Sequence, residues 1–110
     1  MNNTFTPGPW KVKKSESKPA FNVVGTSVGL RYKIARCPYN IVGNSAIDEM
    51  EETEAKANAA LIAAAPDMYE ALKYAKAALK ELAGEGYEHS SIKPMIDAAL
   101  AKAEGKEVVS

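Results

Sequence analysis

A chain of 110 residues and 11.8 kDa is long enough for one small domain and too short for a second core. Its apolar share (46%) and charged share (25%) are ordinary for a soluble protein, and 14 basic residues against 14 acidic ones exclude a wholly basic nucleic-acid binder. A single cysteine, Cys37, excludes an intramolecular disulfide and any multi-cysteine zinc or iron–sulfur site. Met1-Asn2-Asn3-Thr4 lacks the layout of a signal peptide, and no apolar run reaches membrane-spanning length. The expectation is a cytoplasmic protein without a membrane partner.

In chain order, residues 1–9 read as an extended arm, because Thr6-Pro7-Gly8-Pro9 cannot form regular structure. Residues 10–43 read as strands. Trp10-Lys11-Val12-Lys13 alternates apolar and charged side chains, as a half-buried strand does. Phe21-Asn22-Val23-Val24 follows, with Gly25-Thr26-Ser27 as a turn, and then a strand from Val28 to Arg36. Alternation there places Leu30, Tyr32 and Ile34 on one face and Arg31 and Lys33 on the other. Tyr39-Asn40-Ile41-Val42 is a candidate fourth strand, closed by Gly43-Asn44. Short reversals predict an antiparallel sheet.

Residues 48–104 read as helices. Twelve of the 29 residues from Ala55 to Ala83 are alanine and none is glycine. A first helix is expected from about Thr53 to Ala64, with the acids of Asp48–Glu54 at its start. Pro66 suits the first turn of a second helix, although a kinked continuous helix satisfies the same pattern. Met68, Leu72, Ala75, Leu79 and Leu82 form its apolar stripe, and Gly84-Glu85-Gly86 ends it. Ser90 or Ser91 caps a third helix with Ile92, Met95, Ile96, Ala99, Leu100 and Ala103 on one face. Residues 105–110 read as a loose tail. The whole, 1–110, is then a single α+β domain: an antiparallel sheet of three to four strands packed against two to three C-terminal helices. Its core is thin, and the alanine-rich first helix, with only Leu61 and Ile62 as large side chains, calls for a homo-oligomer. Asn58 in that helix fits a hydrogen bond setting register across an interface formed with Leu61 and Ile62.

The charge is balanced in total and segregated along the chain. Residues 1–47 carry seven basic side chains against Glu16, whereas residues 48–110 carry seven lysines against thirteen acids. Arg31, Lys33 and Arg36 make the best anion site, with Tyr32 or Tyr39 to stack on a base; an ordinary polar sheet face has the same pattern. Lys73, Lys76 and Lys80 read as a solvated helix face. His89 reads as a loop residue and Cys37 as a small residue at a strand end, rather than as catalysts. The acidic run lacks the ligand pattern of a calcium loop, so no metal is expected. No phosphate loop, dinucleotide fingerprint or nucleophile elbow occurs, so neither a cofactor nor an enzymatic activity is expected.

Two segments carry a resemblance. Thr6-Pro7-Gly8-Pro9-Trp10-Lys11-Val12, together with Glu54 to Leu72, resembles a family of small phage and prophage proteins that pair a TPGPW opening with an ANAxLIAAAPxLLxAL helix pair. Met68-Tyr69 stands where that pattern has Leu-Leu. The resemblance implies a phage origin, a location in the host cytoplasm and no catalytic residues. It also implies action by binding: sequestering a small anionic, nucleotide-like ligand at a subunit interface, or docking on a host protein to inhibit or modulate it. Nucleic acid is not expected as a partner.

Overall fold

The computed structural model describes residues 5–27 and 29–106, which divide into two compact units: one of Phe5–Pro66, the other beginning at Asp67. The first four residues of the arm, Val28 and the tail after Lys106 lie outside the described residues. The layout is α+β, with three strands followed by four helices.

The first unit is a meander of three antiparallel strands and one helix. β1 (Lys11–Lys14), β2 (Ala20–Ser27) and β3 (Leu30–Pro38) lie in the order β1-β2-β3. The turn expected at Gly25-Thr26-Ser27 is instead the end of β2: Ser27 pairs with Leu30, and Gly29 between them has φ +78°. Only glycine takes that backbone conformation without strain. Gly25 serves another purpose, because the ring of Trp10 lies over it. The candidate fourth strand does not form. The backbone N–H groups of Val42 and Gly43 donate to the Asp48 carboxylate at 2.8 and 3.3 Å, which takes up donors a ladder would need.

α1 (Ser45–Ala63) begins well before the expected Thr53. Asn44 caps it, its Oδ1 accepting from the N–H groups of Ala46 and Ile47. Of the acidic run only Asp48 lies in the first turn, so the dipole argument holds for that residue and not for the rest. Ala55 and Ala59 are buried against Phe21 and Val23, and Trp10, Val12, Cys37, Tyr39 and Ile62 pack around them. Alanine at these two positions lets the helix backbone come close to the sheet. The helix ends at Ala63, and α2 (Ala65–Ala83) carries Pro66 in its first turn. Pro66 therefore marks a break between two helices.

Both segments of the sequence resemblance meet in this unit. A Cβ on Gly8 would lie 3.0 Å from Pro66 Cβ, so the opening arm rests directly against Pro66 in the first turn of α2. Trp10 Nε1 donates to the Thr6 carbonyl at 2.9 Å, which folds the arm back over the sheet.

The second unit holds α2 from Asp67 on, the short α3 (Glu85–Glu88) and α4 (Ile92–Ala103). The expected apolar stripes are only partly buried. Leu72 and Leu79 are half-buried, but Leu82 is 86% exposed, and on α4 Ile96 and Leu100 are buried while Met95 is exposed. The inward position on α2 belongs to Tyr69, whose hydroxyl donates to Glu104 at 2.7 Å. Lys76 reaches Asp97 at 2.7 Å, so the lysine side of α2 helps to join it to α4 rather than being wholly solvated. Ser91 precedes α4 without a side-chain cap; Ser90 Oγ accepts from Lys93 N–H instead.

Candidate functional site

The outer face of the sheet, away from α1, collects five of the seven basic residues of the first half. Strict alternation along β3 would put Arg36 on the opposite side from Arg31 and Lys33. A β-bulge changes that. Val23 pairs with Ala35 and Val24 with Lys33, so Ile34 is an extra residue in β3. Arg36, opposite Asn22, then shares a face with Lys33, opposite Val24, and Arg31, opposite Thr26. β1 adds two more cations to the same face, because Lys11 pairs with Val24 and Lys13 with Asn22. The result is a ladder of rows across the sheet: Lys13–Asn22–Arg36, Lys11–Val24–Lys33 and Thr26–Arg31.

All five cations are exposed, and none of them joins a salt bridge among the described residues. Lys14, of opposite parity, turns to the α1 side and pairs with Glu52 at 3.4 Å. Lys11, Lys13, Thr26 and Arg31 line a shallow cleft with Gly8 and Pro9 of the arm. Asn22 stands in the middle strand with its Oδ1 screened from solvent and without a hydrogen-bond partner. The two tyrosines do not join this face. Tyr39 packs on Phe21 with ring centroids 5.7 Å apart, and Tyr32 is paired with Gly25, on the side of Trp10. Sequence reasoning missed Lys11 and Lys13 as site residues. The alternation Trp10-Lys11-Val12-Lys13 held the signal, but only the pairing register puts these lysines beside Arg31 and Arg36.

α1 carries the opposite charge. Glu49, Glu51 and Glu54 form no ion pair among the described residues, while Glu52 and Asp48 are engaged as described above. The expected interface trio divides: Ile62 packs into the core, whereas Asn58 and Leu61 (63% exposed) face solvent. Leu61 continues a stripe with Ile47, Met50 (71% exposed) and Ala57, and Met50 lies in a shallow groove flanked by Glu49 and Glu54.

The remaining candidates fall into structural roles. Cys37 is half-buried and packs on the core cluster. His89 is the exposed residue that closes α3, its N–H donating to the Glu85 carbonyl. The polar centre of the second unit is Asp97, which accepts from Lys76 at 2.7 Å and Lys93 at 2.9 Å. These two ammonium groups hold its carboxyl down at about 2. The Tyr69 phenol, hydrogen-bonded to Glu104, is pushed up to about 12. Among the described residues no group of acidic, histidine or cysteine side chains is placed to hold a metal ion, and no helix is long and apolar enough to cross a membrane.

Comparison with known proteins shows the family. The family model described as Salmonella phage P22 protein Y8K6 matches residues 1–107. No curated protein and no solved structure matches the chain.

Proposed function

The chain belongs to the Salmonella phage P22 protein Y8K6 family, and from that premise we propose that it acts by binding rather than catalysis, holding a phosphate-bearing anion on the outer face of its sheet. One observation carries this reading: five exposed cations, without ion-pair partners among the described residues, stand on one face of a three-stranded sheet, three of them brought together by the bulge at Ile34. Arginine offers a planar fork for phosphate, and lysine a mobile point charge. Neutralising a face of like charges is favourable in itself, since their mutual repulsion is relieved. In a phage protein, such a face suits withdrawal of a nucleotide-like signal used by the host. Titration calorimetry with ATP and with inorganic pyrophosphate tests this. Both are expected to bind, and the Arg31→Ala/Lys33→Ala/Arg36→Ala variant is expected to lose most of the heat. Equal binding by that variant would overturn the reading.

A second reading rests on the other side of the unit. The exposed stripe Ile47, Met50, Ala57 and Leu61, bordered by Glu49 and Glu54, favours docking of α1 on a second copy or on a host protein. Sedimentation of the purified chain separates these alternatives. A dimer that dissociates on Met50→Glu/Leu61→Glu substitution supports self-association, and a monomer turns the search to host proteins.

A further inference from the structure

We infer that the anion held by the sheet face is duplex DNA, with the sheet laid into its major groove. The inference rests on the reading that this face takes phosphate, and it names the ligand. Three features carry it: the spacing of the cations, the neutral strand between them, and the lack of aromatic side chains among the described residues of the face.

The cations stand in two tracks. Lys11 and Lys13 lie on β1; Arg31, Lys33 and Arg36 lie on β3; the middle strand β2 contributes Asn22, Val24 and Thr26. Neighbouring strands are just under 5 Å apart, so the tracks are separated by about 10 Å. Two tracks this far apart match a major groove about 12 Å wide, so long cationic side chains from the outer strands reach phosphates on its two walls while the middle strand lies over it. Successive rows along a strand are about 7 Å apart, two residues of rise. Phosphates of a polynucleotide are a whole sugar apart and meet successive rows. Those of a nucleoside triphosphate share bridging oxygens and lie closer together, so such a ligand engages one row of cations where a duplex engages them all.

The middle strand then faces the groove floor, where base edges are exposed. Asparagine pairs with the donor–acceptor edge of adenine, and threonine meets base edges or the thymine methyl group. Asn22 is suited to such a contact, since its unpartnered Oδ1 would gain a donor when the amide turns onto a base. Single-stranded nucleic acid is disfavoured as the ligand, because its binding platforms stack bases on aromatic side chains. Here Trp10, Tyr32 and Tyr39 all lie on the other side of the sheet. The balanced charge of the whole chain does not oppose the inference. The acids sit chiefly on α1 and in the second unit, and none occurs within β1, β2 or β3.

Fluorescence anisotropy of a short labelled mixed-sequence duplex, using the full chain between about 50 and 200 mM salt, tests the inference. With five phosphate contacts, log K against log salt is expected to fall with a slope of about −4.5. Removing the β3 track (Arg31→Ala/Lys33→Ala/Arg36→Ala) should flatten the slope to about −2, and removing the β1 track (Lys11→Ala/Lys13→Ala) to about −3. Far-ultraviolet circular dichroism establishes that both variants remain folded. Asn22→Ala should keep the slope and narrow the spread of affinities between different sequences. Duplex binding unchanged in both track variants would overturn the inference, as would a single strand binding as tightly as the duplex. Binding of ATP and pyrophosphate without binding of duplex would overturn it while leaving the proposed function intact; binding of none of them would remove both.

Discussion

Gly25 shows how a single residue serves the packing of the opening arm. A Cβ there would come within 2.9 Å of Trp10 Cδ1 and 3.1 Å of Thr6 Cγ2. Gly25→Val should therefore displace the indole and destabilise the chain by about 1–3 kcal/mol, read as a lower urea midpoint. In the second unit, pH dependence is the corresponding test. The Asp97 carboxyl is lowered from 3.8 to about 2 by hydrogen bonds from Lys76 and Lys93. A depressed carboxylate contributes stability that is complete above its unfolded value and is lost as pH falls through its folded value. The stability difference between wild type and Asp97→Asn should accordingly be constant down to about pH 4 and shrink towards pH 2. Tyr69, raised from 10.0 to about 12 by Glu104, has the opposite sign. Its contribution is present below the unfolded value and fades as pH rises through the folded one, a trend Tyr69→Phe should abolish.

Among the elements, α1 and β3 show what the sequence discloses and what it does not. The alanine content of α1 announced a helix in close contact with its neighbour, and Ala59 is fully buried against the sheet. Ala59→Leu should overpack that contact and cost about 1–3 kcal/mol, measured by chemical denaturation. The start of α1 was less legible, because Asn44 acts as cap and Asp48 holds the backbone of Val42 and Gly43. Those contacts turn an apparent strand, Tyr39–Val42, into a connection, and such side-chain hydrogen bonds leave no periodic signal. In β3, period-two reasoning placed Arg31 and Lys33 correctly on one face. Arg36, grouped with them in the expected anion site against strict alternation, reaches that face only through a bulge, which depends on pairing with β2. The stripe read on α2 was displaced for a related reason. Tyr69 and Lys76 make polar contacts to the α4 end of the chain that hydrophobic spacing does not register.

At the scale of the whole molecule, the balanced total charge conceals a division. Five of the seven basic residues of the first half line one face of the sheet, whereas α1 on its other side is acidic. The two segments that carry the phage-family resemblance are explained by packing. Gly8 rests on Pro66, and Trp10 completes the core between them. These motif residues build the scaffold, and the cations that we assign to binding lie outside the motif except for Lys11. The most direct test of the account is amide chemical-shift mapping of the isotope-labelled full chain, titrated with pyrophosphate and then with a short DNA duplex. The account predicts shifts concentrated at Lys11, Lys13, Asn22, Arg31, Lys33 and Arg36, with the amides of α1 from Glu49 to Glu54 little changed. Shifts centred on α1, or none anywhere at saturating ligand, would contradict it.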